Sequence, residues 1–206
     1  MQKIEDIPHL GGTLCLDFAN TVEPRNSAEQ LDLFQERDDV LRWASVTGIV
    51  VHPGSKPTRR PSQLSAAAAA EELARARALR EAVYAAAAAA AREERPDARA
   101  LATIQGAFAQ AMARSELASL DGEYGWRSSA GGVDLVLDAV AKDAVDLLLS
   151  PGRLRIKECG DDENGCGWLF VDTTKSGTRR WCSMAVCGTR AKVERHRARQ
   201  TQPVTI

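Results

Sequence analysis

The 206-residue chain carries 44% hydrophobic and 27% charged residues with a net charge of −1, a composition typical of a globular protein with a real core. No stretch approaches the roughly 18 consecutive apolar residues of a membrane span, and residues 1–15 lack the basic start and the unbroken apolar run of a secretory signal. We therefore expect a cytoplasmic protein whose thiols stay reduced, so that clustered cysteines indicate metal or redox chemistry rather than structural disulfides.

The first part of the chain predicts two helices and a long loop. The segment 10–22 opens with two glycines and ends before Pro24, a pattern typical of an extended start that runs into a short helix. Apolar residues at helical spacing predict a helix over Leu31–Trp43. Residues 51–61 are rich in proline, glycine and basic residues, and they predict a surface loop.

Three helices and a hairpin are predicted to follow. Ser62 or Ser65 is placed to cap a long alanine-rich helix that ends near Pro96, and Asp97 is placed to cap the next helix. Glycines, serines and aromatic residues between 117 and 132 predict a turn or small hairpin. The clearest amphipathic pattern covers residues 133–149 and ends at a Pro-Gly pair. Residues 1–150 therefore predict a helical bundle that folds on its own, with a second, smaller domain over residues 151–206.

Four of the five cysteines fall within 29 residues at the spacing C-x6-C-x15-C-x4-C. Zinc prefers tetrahedral thiolate sites, and four cysteines close its coordination shell. Strand formers at 168–172, a turn at 175–177 and a return over 178–182 predict a β-hairpin that brings two cysteine pairs together, followed by a helix over 189–199. Unrelated core thiols or a redox pair are the alternatives. The candidate zinc ligands are Cys159, Cys166, Cys182 and Cys187, whereas Cys15, between two leucines, is predicted to be a buried structural thiol.

Residues 166–199, CGWLFVDTTKSGTRRWCSMAVCGTRAKVERHRAR, resemble the bacterial CGNR-type zinc finger. The shared motifs are C-G-W-x-F-x-D, R-R-W-C-S-M, and a C-G-N-R that leads into a basic helix; Thr189 stands where the family has asparagine, while Arg190 is kept. The upstream LDFANTV at 16–22 and the long helical middle resemble the ABATE domain that accompanies this finger. The resemblance implies a mainly α fold, in which a helical bundle with a few short strands precedes a small treble-clef-like zinc finger. It also implies a DNA-binding, stress-linked transcription regulator.

The C-terminal end is strongly basic, whereas the rest of the chain is acidic. From Asp172 to Gln200 there are eight Lys or Arg against two acids, a local charge of +6, which leaves −7 on the remaining residues. This asymmetry favours a polyanionic partner for the C-terminus, and a helix that follows a zinc site is a common reader of a DNA groove. The candidate residues for binding double-stranded DNA are Arg179, Arg180, Arg190, Lys192, Arg195, Arg197 and Arg199. Trp168, Phe170 and Trp181 are predicted to form the core of the finger rather than to stack on bases.

Polar residues in apolar surroundings mark the N-terminal region. Asp17, Asn20 and Arg80 predict either a structural hydrogen-bond network or the lining of a small-ligand pocket in a sensor domain. No catalytic constellation is recognisable, so we expect no enzymatic activity. Two functions stay open: a zinc-dependent DNA-binding regulator with a helical ligand-sensing domain, and an adaptor whose basic helix binds an acidic protein surface.

Overall fold

A computed structural model describes residues 3–49, 64–120 and 122–201 of the chain, except for the side chains of residues 120, 198, 199 and 201. The predicted loop at 51–61 and the capping candidate Ser62 lie outside the described residues. Helices dominate the described part, as the sequence predicts, and none of them is long and apolar enough to cross a membrane. The helices are α1 (Leu14–Ala19), α2 (Arg37–Val46), α3 (Ala66–Ala91), α4 (Ala98–Ala113), α5 (Val133–Leu149) and α6 (Thr189–Thr201).

The strands of the described residues form three two-stranded antiparallel ladders. The first pairs β1 with β2, the second pairs β3 with β4, and the third pairs β5 with β6. The second ladder is the hairpin predicted between 117 and 132. The strands are β1 (Val22–Glu23), β2 (Leu31–Asp32), β3 (Ser115–Leu120), β4 (Glu123–Ser128), β5 (Ile156–Glu158) and β6 (Leu169–Val171).

Side-chain caps determine where two of the long helices begin. The Ser65 hydroxyl accepts a hydrogen bond from the Ala68 N–H at 3.2 Å, and the Asp97 carboxylate accepts from the N–H groups of Arg99 and Ala100. Both helices then run through alanine-rich sequence, which loses little side-chain entropy on helix formation. The caps are those that the sequence predicts, although α3 ends at Ala91, before the expected end near Pro96.

The helix predicted from Leu31 begins six residues later. Residues 31 and 32 pair with β1 instead, and the Asp32 carboxylate accepts a hydrogen bond from the Phe34 N–H at 2.9 Å, which turns the chain. A reciprocal capping box between Glu36 and Asp39 then starts α2 at Arg37. The prediction was wrong at this end because apolar spacing alone does not detect a competing strand pair.

One hydrophobic cluster runs through both halves of the chain. Phe18 of α1 packs against Phe34 and Trp43, with ring centroids 5.3 and 5.1 Å away. Ile156, Trp168, Leu169 and Phe170 from beyond residue 150 belong to the same cluster. The predicted burial of Trp168 and Phe170 is confirmed, but their core is shared with the bundle. The boundary at residue 150 stays a prediction, and this shared core argues against independent folding of the bundle.

Hydrogen bonds tie the N-terminal segment and α3 to β6 and to the two residues that precede it. The Asn20 side-chain amide donates to the Leu169 carbonyl and its oxygen accepts from the Leu169 N–H, both at 2.9 Å. The Trp168 indole N–H donates to the Val22 carbonyl at 3.1 Å, and the Tyr84 hydroxyl of α3 donates to the Gly167 carbonyl at 2.9 Å. Because these groups are wholly or partly buried, each contact also satisfies a backbone group that water would otherwise have to reach.

Candidate metal centre and basic surface

The side chains of Cys159, Cys166, Cys182 and Cys187 converge, with all four sulfur atoms within 4.8 Å of one another. The Sγ–Sγ distances are 3.7 Å for Cys166–Cys182, 3.6 Å for Cys182–Cys187 and 3.7 Å for Cys166–Cys187. A tetrahedron with metal–sulfur bonds of about 2.3 Å has edges of about 3.8 Å, whereas a disulfide needs an S–S distance of about 2.0 Å. The four buried cysteines are free, so the array has the dimensions of a tetrahedral thiolate site and not of a disulfide.

Four separate pieces of backbone deliver these sulfurs. Cys159 directly follows β5, and its N–H donates to the Trp168 carbonyl at 2.8 Å, which extends the pairing with β6. Cys182 lies in a loop, and its N–H donates to the Cys159 sulfur at 3.4 Å. Cys187 lies in a helical turn, Met184–Gly188, that leads directly into α6. The site therefore joins the β5–β6 pair to the basic helix.

Cys166 is held by a close backbone approach from the N-terminal segment. The N–H groups of Arg25 and Asn26 donate to the carbonyls of Cys166 and Gly165 at 2.9 and 2.8 Å. Gly165 and Gly167 both have φ of +61°, and a Cβ on either would lie under 3.0 Å from atoms of Asn26. Glycine is required at these two positions for both conformation and space.

The hairpin predicted between residues 168 and 182 is not formed. Strand β6 pairs with β5, because the Asp172 carboxylate accepts hydrogen bonds from the Thr174 N–H at 2.9 Å and the Arg179 N–H at 3.0 Å, which bends the chain away. The Lys157 ammonium, 2.9 Å from the same carboxylate, lowers the pKa of Asp172 together with these hydrogen bonds. The prediction was wrong because the return segment, residues 178–182, donates backbone hydrogen bonds to side chains and not to the edge of β6.

Proximity also controls the protonation of the thiols. Hydrogen bonds from Cys166 and Cys182 lower the pKa of Cys159, and the same contacts with Cys159 raise the pKa of Cys166 and of Cys182. Burial raises the pKa of Cys187. Four thiolates in this space repel one another, whereas coordination to a divalent cation deprotonates a thiol outright. The donor set of four sulfurs suits zinc.

An ion pair outside the four sulfurs supports the site. The Arg190 guanidinium lies 3.3 Å from the Cys187 sulfur and 3.1 Å from a carboxylate oxygen of the buried Asp161. The Asp161 backbone carbonyl accepts from the Cys166 N–H at 3.1 Å. Arg190, a DNA candidate in the sequence analysis, therefore offsets thiolate charge here. The sequence analysis did not identify Asp161, because a single acidic residue in a loop belongs to no recognisable motif.

The remaining basic candidates divide into two groups. The Arg179 guanidinium stacks on the Phe170 ring at 4.3 Å and donates to the carbonyls of Trp181 and Cys182, so the structure uses it to hold the cysteine loop. The other described side chains among the candidates are exposed, and for Arg199 only the helical backbone is described. The exposed set is Arg180, Lys192, Arg195 and Arg197.

The three candidates for a ligand pocket are engaged by the protein's own groups. Asp17 accepts from the Gly11 N–H at 2.7 Å, and Asn20 binds the backbone of β6 as described above. Arg80 is buried and donates to Asp32 at 2.5 and 2.8 Å. These contacts correspond to the structural alternative of the sequence analysis, and a ligand-binding role for the three residues stays a prediction.

Comparison with protein families agrees with this architecture. Residues 12–151 match the ABATE family model, described as "Putative stress-induced transcription regulator", and residues 155–200 match the CGNR zinc finger model. A search of curated proteins returned no match. The first model covers more than half of the chain, and the second covers all four clustered cysteines. The chain therefore belongs to the ABATE family and carries a CGNR zinc finger at its C-terminal end.

Proposed function

We propose that the protein is a zinc-dependent, DNA-binding transcription regulator that works in the cytoplasm and has no enzymatic activity. One observation carries this proposal: four cysteine sulfurs converge at tetrahedral spacing, and one of them belongs to the turn that leads into a basic helix. The ABATE family description supports the regulatory role. The two proposed ligands, Zn2+ and duplex DNA, call for separate tests.

The metal is proposed to orient α6. This helix has 13 residues and lacks an apolar face, and isolated helices of that length are marginal in water. Cys187 precedes it by two residues, and Arg190 in its first turn contacts both Cys187 and Asp161. Zinc bound by the four cysteines would tie these contacts to the β5–β6 pair, and the helix would then project from a rigid base.

The exposed cations are proposed to contact phosphates. Lys192 and Arg195 are one helical turn apart, so they lie on one side of α6. Arg180 and Arg195 line the same shallow cleft at the base of the helix. Glu194 interrupts the charge, but its carboxylate accepts a hydrogen bond from the Asn164 side chain at 2.9 Å. Arg179 and Arg190 already contact other groups of the finger, so we propose that they support this surface and do not contact DNA bases.

Metal analysis tests the first part of the proposal. Protein purified without chelator should contain about one zinc per chain, and Cys182→Ser should lose most of it. Cys15→Ala is the matched control, because Cys15 is buried outside the cluster and should leave the zinc content unchanged. A metal-free protein in which residues 155–200 remain ordered would refute the zinc site.

Duplex binding of the zinc-loaded protein at several salt concentrations tests the second part. The log–log slope of affinity against salt should be about −0.9 per phosphate neutralised. The double variant Lys192→Ala, Arg195→Ala should flatten this slope by about two units on every sequence tested. Arg99→Ala, Arg127→Ala removes two exposed charges from the body and should leave the slope unchanged. Absence of duplex binding at low salt would refute the DNA proposal and favour the adaptor hypothesis.

A further inference from the structure

A cleft of about 590 Å3 lies between the N-terminal segment and the zinc finger. Leu10, Pro24 and Leu31 contribute to one wall, and Trp168 and Val186 contribute to the other. We call this space the interface cleft. Its volume falls within the range of about 300–1,000 Å3 that is usual for small-molecule sites, and its walls are largely apolar, as in such sites.

The interface cleft contains a carboxylate that has no hydrogen-bond donor among the described residues. Glu23 of β1 lines the cleft and is half-buried, and its carboxylate makes no hydrogen bond or ion pair with the described part of the chain. Burial raises the pKa of Glu23, and the charge of Arg190, which also lines the cleft, offsets only part of this effect. Arg190 gives its hydrogen bond to Cys187 and forms its ion pair with Asp161. A partly desolvated carboxylate is costly unless a donor meets it.

The chemistry of the lining defines the ligand class. An apolar or aromatic body would cover the leucine, proline, valine and tryptophan side chains, while a protonated amine would supply the missing donor. The rim adds a second carboxylate, Glu29, and so favours positive charge. We propose that the interface cleft binds a small organic cation with an apolar body, whose ammonium group donates to Glu23.

Such a ligand would contact both halves of the protein. Because the two walls come from the N-terminal segment and from the finger, binding would stabilise the docked arrangement of the finger. Arg190 lines the cleft and lies in the first turn of α6, so occupancy and DNA affinity would be linked, and linkage is reciprocal. The binding site itself does not depend on DNA, whereas this regulatory consequence rests on the proposed function.

Three probes that share one aromatic body but differ in charge separate this proposal from general hydrophobic binding. They are 2-naphthylmethylammonium, 2-naphthylacetate and 2-naphthalenemethanol, titrated calorimetrically into the full-length, zinc-loaded protein without DNA. The ammonium should bind at least about tenfold more tightly than the other two, because it alone forms a charge-assisted hydrogen bond with Glu23. Equal affinities for all three probes, or no binding of the ammonium at millimolar concentration, would overturn the proposal.

Variants locate the site. Glu23→Gln keeps the shape of the side chain and should reduce ammonium affinity by about tenfold or more. Leu31→Trp should weaken all three probes by filling the cleft from a partly exposed position. Glu123→Gln, an exposed position on β4, is the matched control and should change nothing. Unchanged ammonium affinity in Glu23→Gln with normal zinc content would overturn the assignment, whatever the outcome of the DNA experiment.

Discussion

The buried side chain of Asn20 joins the bundle to the finger, and Asn20→Ala removes that link. Asn20 is 1% exposed, and its amide satisfies both the N–H and the carbonyl of Leu169, each at 2.9 Å. After the substitution both backbone groups stay buried without a partner. An unsatisfied buried group costs about 1–3 kcal/mol, so the free energy of unfolding should fall by about 2–6 kcal/mol. For a chain of this size the midpoint of thermal unfolding should drop by roughly 4–24 °C.

Urea denaturation of the full-length, zinc-loaded variant, followed by circular dichroism, measures this loss. Asn26→Ala is the matched control, because it removes one exposed hydrogen bond, 2.8 Å from the Asn26 amide to Glu158. That control should cost about 1 kcal/mol or less. If Asn20→Ala is no more destabilising than Asn26→Ala, the inferred coupling between bundle and finger is wrong.

Three further predictions concern charge, domain structure and backbone geometry. Asp32→Asn should destabilise the protein at pH 7 and progressively less as the pH falls below about 4. Burial raises the pKa of Asp32, but the hydrogen bond and charge of Arg80 outweigh burial, so the pKa of this carboxylate is lowered in the folded protein. A difference in urea midpoint between variant and parent that stays constant with pH would contradict this. A chain ending at Ser150 should lose cooperative thermal unfolding because part of its hydrophobic core is left exposed. A cooperative unfolding transition at the same temperature as that of the full-length protein would contradict this prediction. Gly167→Ala should destabilise the protein by about 1–3 kcal/mol and weaken zinc retention. Gly177 also has a positive φ, but a Cβ there would have no contact closer than 3.5 Å, so Gly177→Ala should lower the free energy of unfolding less. Equal losses of stability in the two variants would contradict the steric argument.

Local signals in the sequence were sufficient for most of the helices. The caps Ser65 and Asp97 act on N–H groups two or three residues away, and alanine favours a helix in any surroundings. The amphipathic pattern over 133–149 corresponds to α5 residue for residue. The cysteine spacing predicted one cluster because four cysteines so close together in the sequence are typical of a metal site. These features depend on residue types and short spacings, which a single sequence displays.

Tertiary structure alone decided how those pieces are connected. Asn20 and Leu169 are 149 residues apart, and no local pattern pairs them. The partner of β6 depended on the side-chain contacts of Asp172, which compete with the predicted hairpin. Likewise Arg179 and Arg195 look equivalent in the sequence, yet one stacks on Phe170 and the other is exposed. Composition determined that this end of the chain is basic, whereas packing determined which of its charges are exposed, since the fold holds Arg179 against Phe170 and the cysteine loop while Arg195 lies on the surface of α6.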